Sequence, residues 1–196
     1  DRKRYRPMVC CLNWEGKLAP RVTNEGIPVF SLHKGRGFDP TVILKLARLL
    51  RRERIDVVHT HLWTSNFWGR IAAVLARTPV IVTTEHNVDV WKSRHHFVAD
   101  RVLGRVTSRV VYVSDSVKAF YVETTGIDSP KGLRIYNGID TSPFRRSMDS
   151  TRLRRDLGLR EDAQVVSTIG RLVPQKGHRL FIDVMKRVRE SCPRAV

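Results

Sequence analysis

Cysteine is scarce in this chain. Its 196 residues hold three, of which Cys10 and Cys11 are adjacent and Cys192 is remote. An odd count with an adjacent pair shows no disulfide framework, so the chain reads as made for a reducing compartment. Long apolar runs are also missing. The longest charge-free stretch of interest, 57–69, is broken by His59, His61, Ser65 and Asn66. It falls well short of the ~20 apolar residues that a spanning helix needs. No leader is expected from these residues, because DRKRYR leads straight into a short strand-like run. Acidic residues are few: 19 Asp and Glu against 36 Lys and Arg leave a net charge of +17. That surplus excludes a neutral surface while leaving phosphates, anionic lipid and nucleic acid open as partners. What is present suffices for a core, since hydrophobic residues make up 41% and the chain is no disordered tail. At roughly 100–200 residues per domain, the length fits one domain, or one and part of a second.

Short runs rich in Val and Ile mark strands at 8–12, 27–32, 55–60, 80–84, 109–113, 133–136 and 165–169. Most are apolar throughout, as in a parallel sheet covered on both faces. Helical patterns lie between them. In 41–54, Ile43, Leu46, Ala47 and Leu50 recur at i, i+3, i+4 and i+7, with Asp39 as N-cap and Pro40 at the first helical position. Further helices are expected at 66–76, with Phe67, Ile71, Val74 and Leu75 on the buried side, at 93–106, and at 116–124. A last one starts near Gly177 and buries Leu180, Phe181, Val184 and Val188. Alternation at this pace indicates an α/β fold with a doubly wound parallel sheet. A composition shift toward Gly, Pro, Ser and charge at 137–163 reads as a crossing, with a short helix near 151–157. The expected division is 1–140, a crossing at 141–162, and a second domain opening at 163–196. The start at Asp1 and the stop at Val196 read as cut ends.

Open α/β sheets bind ligands at the carboxyl ends of their strands. Polar residues recur there: His61 after the third strand; Glu85, His86 and Asn87 after the fourth; Ser114 after the fifth; Asn137 and Gly138 after the sixth; Gly170 and Arg171 after the seventh. Each alone is equally well a loop residue or a helix cap. The run GRLVPQKG at 170–177 stands between a strand and a helix. Arg171 and Lys176 bracket a position where free backbone N–H groups at the helix start, near Lys176 and Gly177, favour an anion such as a diphosphate. A solvated basic loop is the plain alternative. The run is neither a Walker A loop nor GxGxxG. In VVHTH, His59 and His61 point to one face of a strand. No third ligand at a fixed spacing accompanies them, so no metal site is expected. His59 reads as a hydrogen-bonded strand residue, His61 as the catalytic or binding candidate, and His95 and His96 as surface.

The runs IDVVHTHLWTSNFWGRIAAVLARTPVIVTTEHN and RVVYVSDSVKAFYVETTGI, the YNGID junction and GRLVPQKG together resemble a retaining glycosyltransferase of family four. The resemblance covers about 7–188. It implies a GT-B fold, in which two Rossmann-like domains face each other, the first binding the acceptor and the second a nucleotide-sugar. It implies His61 at the reacting centre, Gly170, Arg171 and Lys176 on the donor diphosphate, and Glu85, His86, Asn87 and Ser114 on the acceptor side. Asn137 and Gly138 match the interdomain crossing. The implied reaction moves a sugar, with retention, to an acceptor such as a lipid-linked or cell-envelope glycan. It needs no cofactor and no metal, because fixed cations neutralise the leaving phosphate. Two features of the family are not present in these residues: the glycine-rich loop after its first strand and the C-terminal Glu-x7-Glu motif. The first strand thus reads as missing, the second domain as truncated, and these 196 residues alone as inactive.

The partners expected are a nucleotide-sugar, a glycan or lipid-linked acceptor and an anionic membrane surface met by Arg48, Arg51, Arg52 and Arg54. The expected place is the cytoplasm, peripheral on the inner face of the membrane. Nucleic acid is not expected, since Trp14, Trp63, Trp68 and Trp91 form no stacking run among basic residues. A non-catalytic basic binding module and another GT-B enzyme, such as a sugar-nucleotide epimerase, are the rival readings.

Overall fold

The computed structural model describes residues 1–127, 130–144 and 151–196. They form two compact units, Asp1–Gly138 and Ile139–Val196. The stretch 141–162, read from sequence as a crossing, therefore belongs to the second unit. Its residues 145–150 lie outside the described residues.

The first unit alternates strand and helix as β1 (Val9–Cys11), α1 (Ala19–Asn24), β2 (Val29–Ser31), α2 (Thr41–Arg52), β3 (Val57–His61), α3 (Trp63–Ala76), β4 (Val80–Glu85), α4 (Arg94–Gly104), β5 (Arg109–Tyr112), α5 (Asp115–Thr125) and β6 (Gly132–Arg134). All pairings are parallel, in two sheets: β1–β2 and β3–β4–β5–β6. Between the edges of β1 and β3 runs a groove of about 640 Å³, lined by Val9, Cys10, Val57 and His59 and floored by Leu46, Leu49 and Leu50 of α2.

The polar α2 face points outward while Val42, Leu46, Ala47 and Leu50 are buried with Leu32, Val58 and Ile81. At its start Asp39 accepts a hydrogen bond from the Thr41 N–H at 3.1 Å, so its carboxylate caps the helix from one residue further out than expected. The short α1, with Pro at its start, was not legible in the sequence.

The buried face of α3 differs from the expected one. Asn66, Trp68, Gly69, Arg70, Ala72 and Ala73 are buried, whereas Val74 and Leu75 are exposed. Close approach explains the choice. A Cβ on Gly69 would overlap Cγ2 of Thr60 on β3, so only small residues let this helix lie against its strand.

In the second unit, α6 (Thr151–Asp156) and α7 (His178–Ser191) are helices, and 165–169 is no strand. A strand needs a ladder. Here the only β-bridge among the described residues outside the named strands joins Gln164 to Ala195, and Ile169 is 97% exposed. For the same reason α7 buries no residue fully: Leu180 and Val184 are exposed and Phe181 and Val188 only half-buried, because no sheet lies beneath them among the described residues.

Candidate functional site

The carboxyl ends of β3 and β4 bring three imidazoles together. His59 and His61 share one strand face with ring centroids 4.3 Å apart. Nε2 of His59 lies 2.7 Å from the Thr84 hydroxyl, and Nδ1 of the exposed His61 lies 3.0 Å from Nε2 of the half-buried His86. Burial pushes the pKa of His59 and His61 down, and the neighbouring imidazoles push in the same direction. Both shifts favour the neutral ring, in which His61 offers a hydrogen bond. Among the described residues no group of three or more His, Cys, Asp or Glu is arranged to hold a metal ion.

Between His61 and α3 the chain turns at Leu62, which has φ 68° and ψ 153°. That region is almost reserved for glycine and costs a leucine of order 1–3 kcal/mol. The turn is held by hydrogen bonds from the Leu62 N–H to the Thr84 carbonyl and from the Asn66 N–H to the Leu62 carbonyl.

Glu85 is buried. It accepts a hydrogen bond from Asn66 Nδ2 at 2.7 Å and lies 3.8 Å from Nζ of Lys92, whose side chain is wholly buried. Lys92 also meets Asp100 at 3.1 Å and Asp89 at 3.3 Å, and donates to the Tyr121 hydroxyl. The Tyr121 hydroxyl donates to Asp89, and Arg70 pairs with Asp100. Burial raises the Glu85 pKa against the pull of Lys92. Glu85 thus anchors the strand end that carries His86 and the exposed Asn87. Ser114 caps α5, its hydroxyl accepting from the Val117 N–H at 3.2 Å. Arg70, Lys92, Asp89, Asp100 and Tyr121 were not read from the sequence, where five scattered polar residues carry no spacing signal. His96 is not a plain surface residue: its Nδ1 accepts from the Ser93 N–H, and its ring meets Trp63 edge-on at 4.5 Å.

In the second unit, GRLVPQKG closes on itself. A 3-10 turn over Pro174–Lys176 leads through Gly177, at φ 65°, into α7. A Cβ on Gly170 would sit 3.4 Å from Cγ of Lys176 and 3.6 Å from Nε2 of His178, and His178 Nε2 lies 2.9 Å from the Arg171 carbonyl. These are ordinary contact distances, so the Lys176 stem and the His178 ring pack against the Gly170 backbone without strain. The Lys176 and Gly177 N–H groups are spent on the carbonyls of Val173 and Pro174, so the free donors begin at His178 and not where the sequence put them. Arg171 and Lys176 are both exposed, and no carboxylate pairs with either among the described residues. Asn137 and Gly138 are exposed at the end of the first unit.

Residues 1–143 match the model of the family described as Glycosyltransferase Family 4. The chain belongs to this glycosyltransferase family. It is 29% identical, over 160 residues, to the UDP-Gal:alpha-D-GlcNAc-diphosphoundecaprenol alpha-1,3-galactosyltransferase of Escherichia coli, covering 78% of this chain and 41% of that protein. It is 29% identical over 150 residues to a D-inositol 3-phosphate glycosyltransferase of Geodermatophilus obscurus, covering 70% of this chain and 33% of the relative. The crystal structure of Anabaena HepE in complex with UDP superposes with a TM-score of 0.74 at 24% identity, covering 92% of this chain and 50% of that one. The GT-B type of fold follows. The chain spans between a third and a half of the length of these relatives.

Two expectations lie elsewhere than in this geometry. Of the basic face on α2, Arg51 donates to the Leu75 carbonyl and Arg52 pairs with Glu53 at 2.9 Å, so part of its charge is already engaged. No helix among the described residues is long and apolar enough to cross a membrane.

Proposed function

We propose that the protein containing this chain transfers a sugar from a nucleotide-diphosphate sugar to an acceptor glycan, with retention, the acceptor being lipid-linked or part of a cell envelope. The observation that carries this reading is the GRLVPQKG loop, which presents the exposed cations Arg171 and Lys176 just before α7, neither paired with a carboxylate among the described residues, in a chain of this family. When the sugar departs, charge grows on the diphosphate. Two cations aimed at it act more strongly in the transition state than in the ground state, and no metal or cofactor is needed. His61, whose surroundings favour the neutral ring, positions the transferred sugar by hydrogen bonding. His86, Asn87 and Ser114 stand on the acceptor side, and Glu85 supports them from beneath. A uridine diphosphate sugar is the donor to try first, since the solved HepE complexes hold UDP, in one case with glucose. We place the enzyme in the cytoplasm, peripheral on an anionic inner membrane face, supported by the free thiols and the +17 charge.

The test is transfer from a panel of UDP-sugars by the longer protein, with product analysis separating a new glycosidic bond from an epimerised donor. Arg171→Ala and Lys176→Ala should each lower kcat/KM by about 10²–10³. Unchanged kcat/KM in both would overturn the reading. The 196 residues alone should bind UDP weakly and turn nothing over.

A further inference from the structure

The loop between β4 and α4 carries a feature that the donor chemistry does not use. Trp91 is 60% exposed, yet its indole is not loose. Its N–H donates to Oδ1 of Asp89 at 3.2 Å. Asp89 is in turn fixed by the Tyr121 hydroxyl at 2.8 Å and by the buried Lys92 at 3.3 Å. From beneath, the indole meets Trp63 edge-on at 6.0 Å and His96 at 5.3 Å. An exposed aromatic plane is thus held in one orientation by a buried ionic network, so little ordering entropy remains to be lost on binding. Close by in the chain are the exposed side chains of Asn87 and His95, the His95 ring resting against the Ser93 hydroxyl at 2.8 Å. A fixed apolar plane with a few polar groups near it matches the surface of a pyranose ring, whose face is C–H and whose rim is hydroxyl.

We propose that the Trp91 indole face is a stacking subsite for a hexopyranose unit of the acceptor. Asn87 and His95 serve its hydroxyls, and the Asp89–Lys92–Tyr121 network holds the plane. This rests on the reading that the acceptor is a glycan, and it names where in this chain that glycan is met. Val90, 83% exposed beside Trp91, makes a lipid surface the rival occupant. The engaged indole N–H and the polar neighbours favour the sugar, because a lipid anchor gains nothing from either.

The experiment is saturation-transfer NMR on the 196-residue chain with methyl α-D-glucopyranoside and methyl N-acetyl-α-D-glucosaminide as probes, without any donor. We expect transfer to the ring protons of at least one probe. The signal should fall about tenfold in Trp91→Ala and be largely retained in Trp91→Phe, which keeps an aromatic plane. Val90→Asp should leave it unchanged. Thermal unfolding of each variant separates loss of the subsite from loss of the fold, and Trp91→Phe remains informative where Trp91→Ala fails to fold. No transfer to either probe, or an undiminished signal in a folded Trp91→Ala, overturns the proposal. So does binding of the chain to phosphatidylglycerol vesicles that Val90→Asp and Trp91→Ala abolish while neither sugar gives a signal. Donor and subsite fail independently. No transfer from any UDP-sugar by the longer protein, with the Trp91 signal intact, sinks the transferase reading, and the reverse sinks the subsite alone.

Discussion

At the residue scale, the first unit concentrates charge where water is absent. Lys92 has no exposed side-chain surface and faces three carboxylates, Glu85, Asp89 and Asp100, with Arg70 as the second cation. Removing one partner from such a set leaves unpaired buried charge, which costs about 3–5 kcal/mol. Lys92→Met should therefore lower the unfolding free energy read from urea titration by that amount, while Lys45→Met on the exposed side of α2 should leave it within about 0.5 kcal/mol. An equal response would mean that the network holds no special place. Leu62 makes the opposite case. Glycine there removes the left-handed strain of φ 68° at the cost of added chain entropy, so Leu62→Gly should stabilise by about 1 kcal/mol. A loss of stability would show that the Leu62 side chain carries the turn. The imidazoles set the pH response. The folded state holds His59 and His61 below the ordinary 6.5. As pH falls, the unfolded chain therefore takes up protons first. The contribution of these rings is whole above 6.5 and is lost as pH falls through their lowered folded values. Glu85 has the other sign: raised above 4.5, its contribution is present below that value and lost as pH rises. Urea midpoints at about pH 7.5 and about pH 5.5 should differ less in His59→Asn/His61→Asn than in the parent chain. An unchanged difference would remove these rings as its source.

At the element scale, the pairing of β3 dictates which of its amides are sealed. The Asp56 carbonyl accepts from Val80 and the Leu62 N–H reaches the Thr84 carbonyl. In a parallel strand the N–H and C=O of one residue point the same way and alternate along the chain. Residues 56, 58, 60 and 62 thus face β4, while Val57, His59 and His61 face the groove toward β1. Hydrogen exchange should show slow amides at Val58 and Thr60 and fast ones at Val57, His59 and His61. Uniform protection would mean that something fills the groove. Gly69 is the second constraint at this scale. Gly69→Ala drives a methyl into Thr60 and should cost about 1–3 kcal/mol by prising α3 from β3. The strands of the first unit were legible because buried parallel strands are simply apolar, and α2 because its apolar stripe repeats. The buried side of α3 was not, since periodicity marks large apolar residues, whereas this interface selects small ones and seals Asn66 and Arg70 with hydrogen bonds. His61 and His86 stood out by their places after strands, Arg171 and Lys176 by their places in GRLVPQKG ahead of a helix. Asp89 and Lys92 lie three apart in one loop, but only folding brings Tyr121 to them. A strand at 165–169 was read from propensity, which counts for nothing without a neighbour to pair with.

At the scale of the whole molecule, the two units differ in how much holds them. Nearly every buried hydrophobic residue, from Leu32 to Tyr121, lies in Asp1–Gly138; in Ile139–Val196 only Ala163 and Ala195 are buried among the described residues. Burial contributes about 25 cal/mol per Å² of apolar surface, so the second unit gains little against the entropy of ordering its backbone. Its helix α7 leaves Leu180, Ile182 and Val184 exposed, and a lone bridge ties Gln164 to Ala195. Cooperative unfolding should therefore belong to the first unit. A chain ending at Gly138 should unfold in urea with the midpoint of the 196-residue chain and nearly the same slope, because the slope follows the surface newly exposed. Amides of 151–196 should exchange almost freely before that transition, with the middle of α7 the slowest among them. A clearly shallower slope for the shorter chain would show that the second unit unfolds with the first, and that it draws its stability from more than its own buried residues. Binding of UDP separates the cases further. A ligand held at Arg171 and Lys176 stabilises only what folds around it, so it should slow exchange in 170–181 and leave α2 and β4 unchanged if the units are independent.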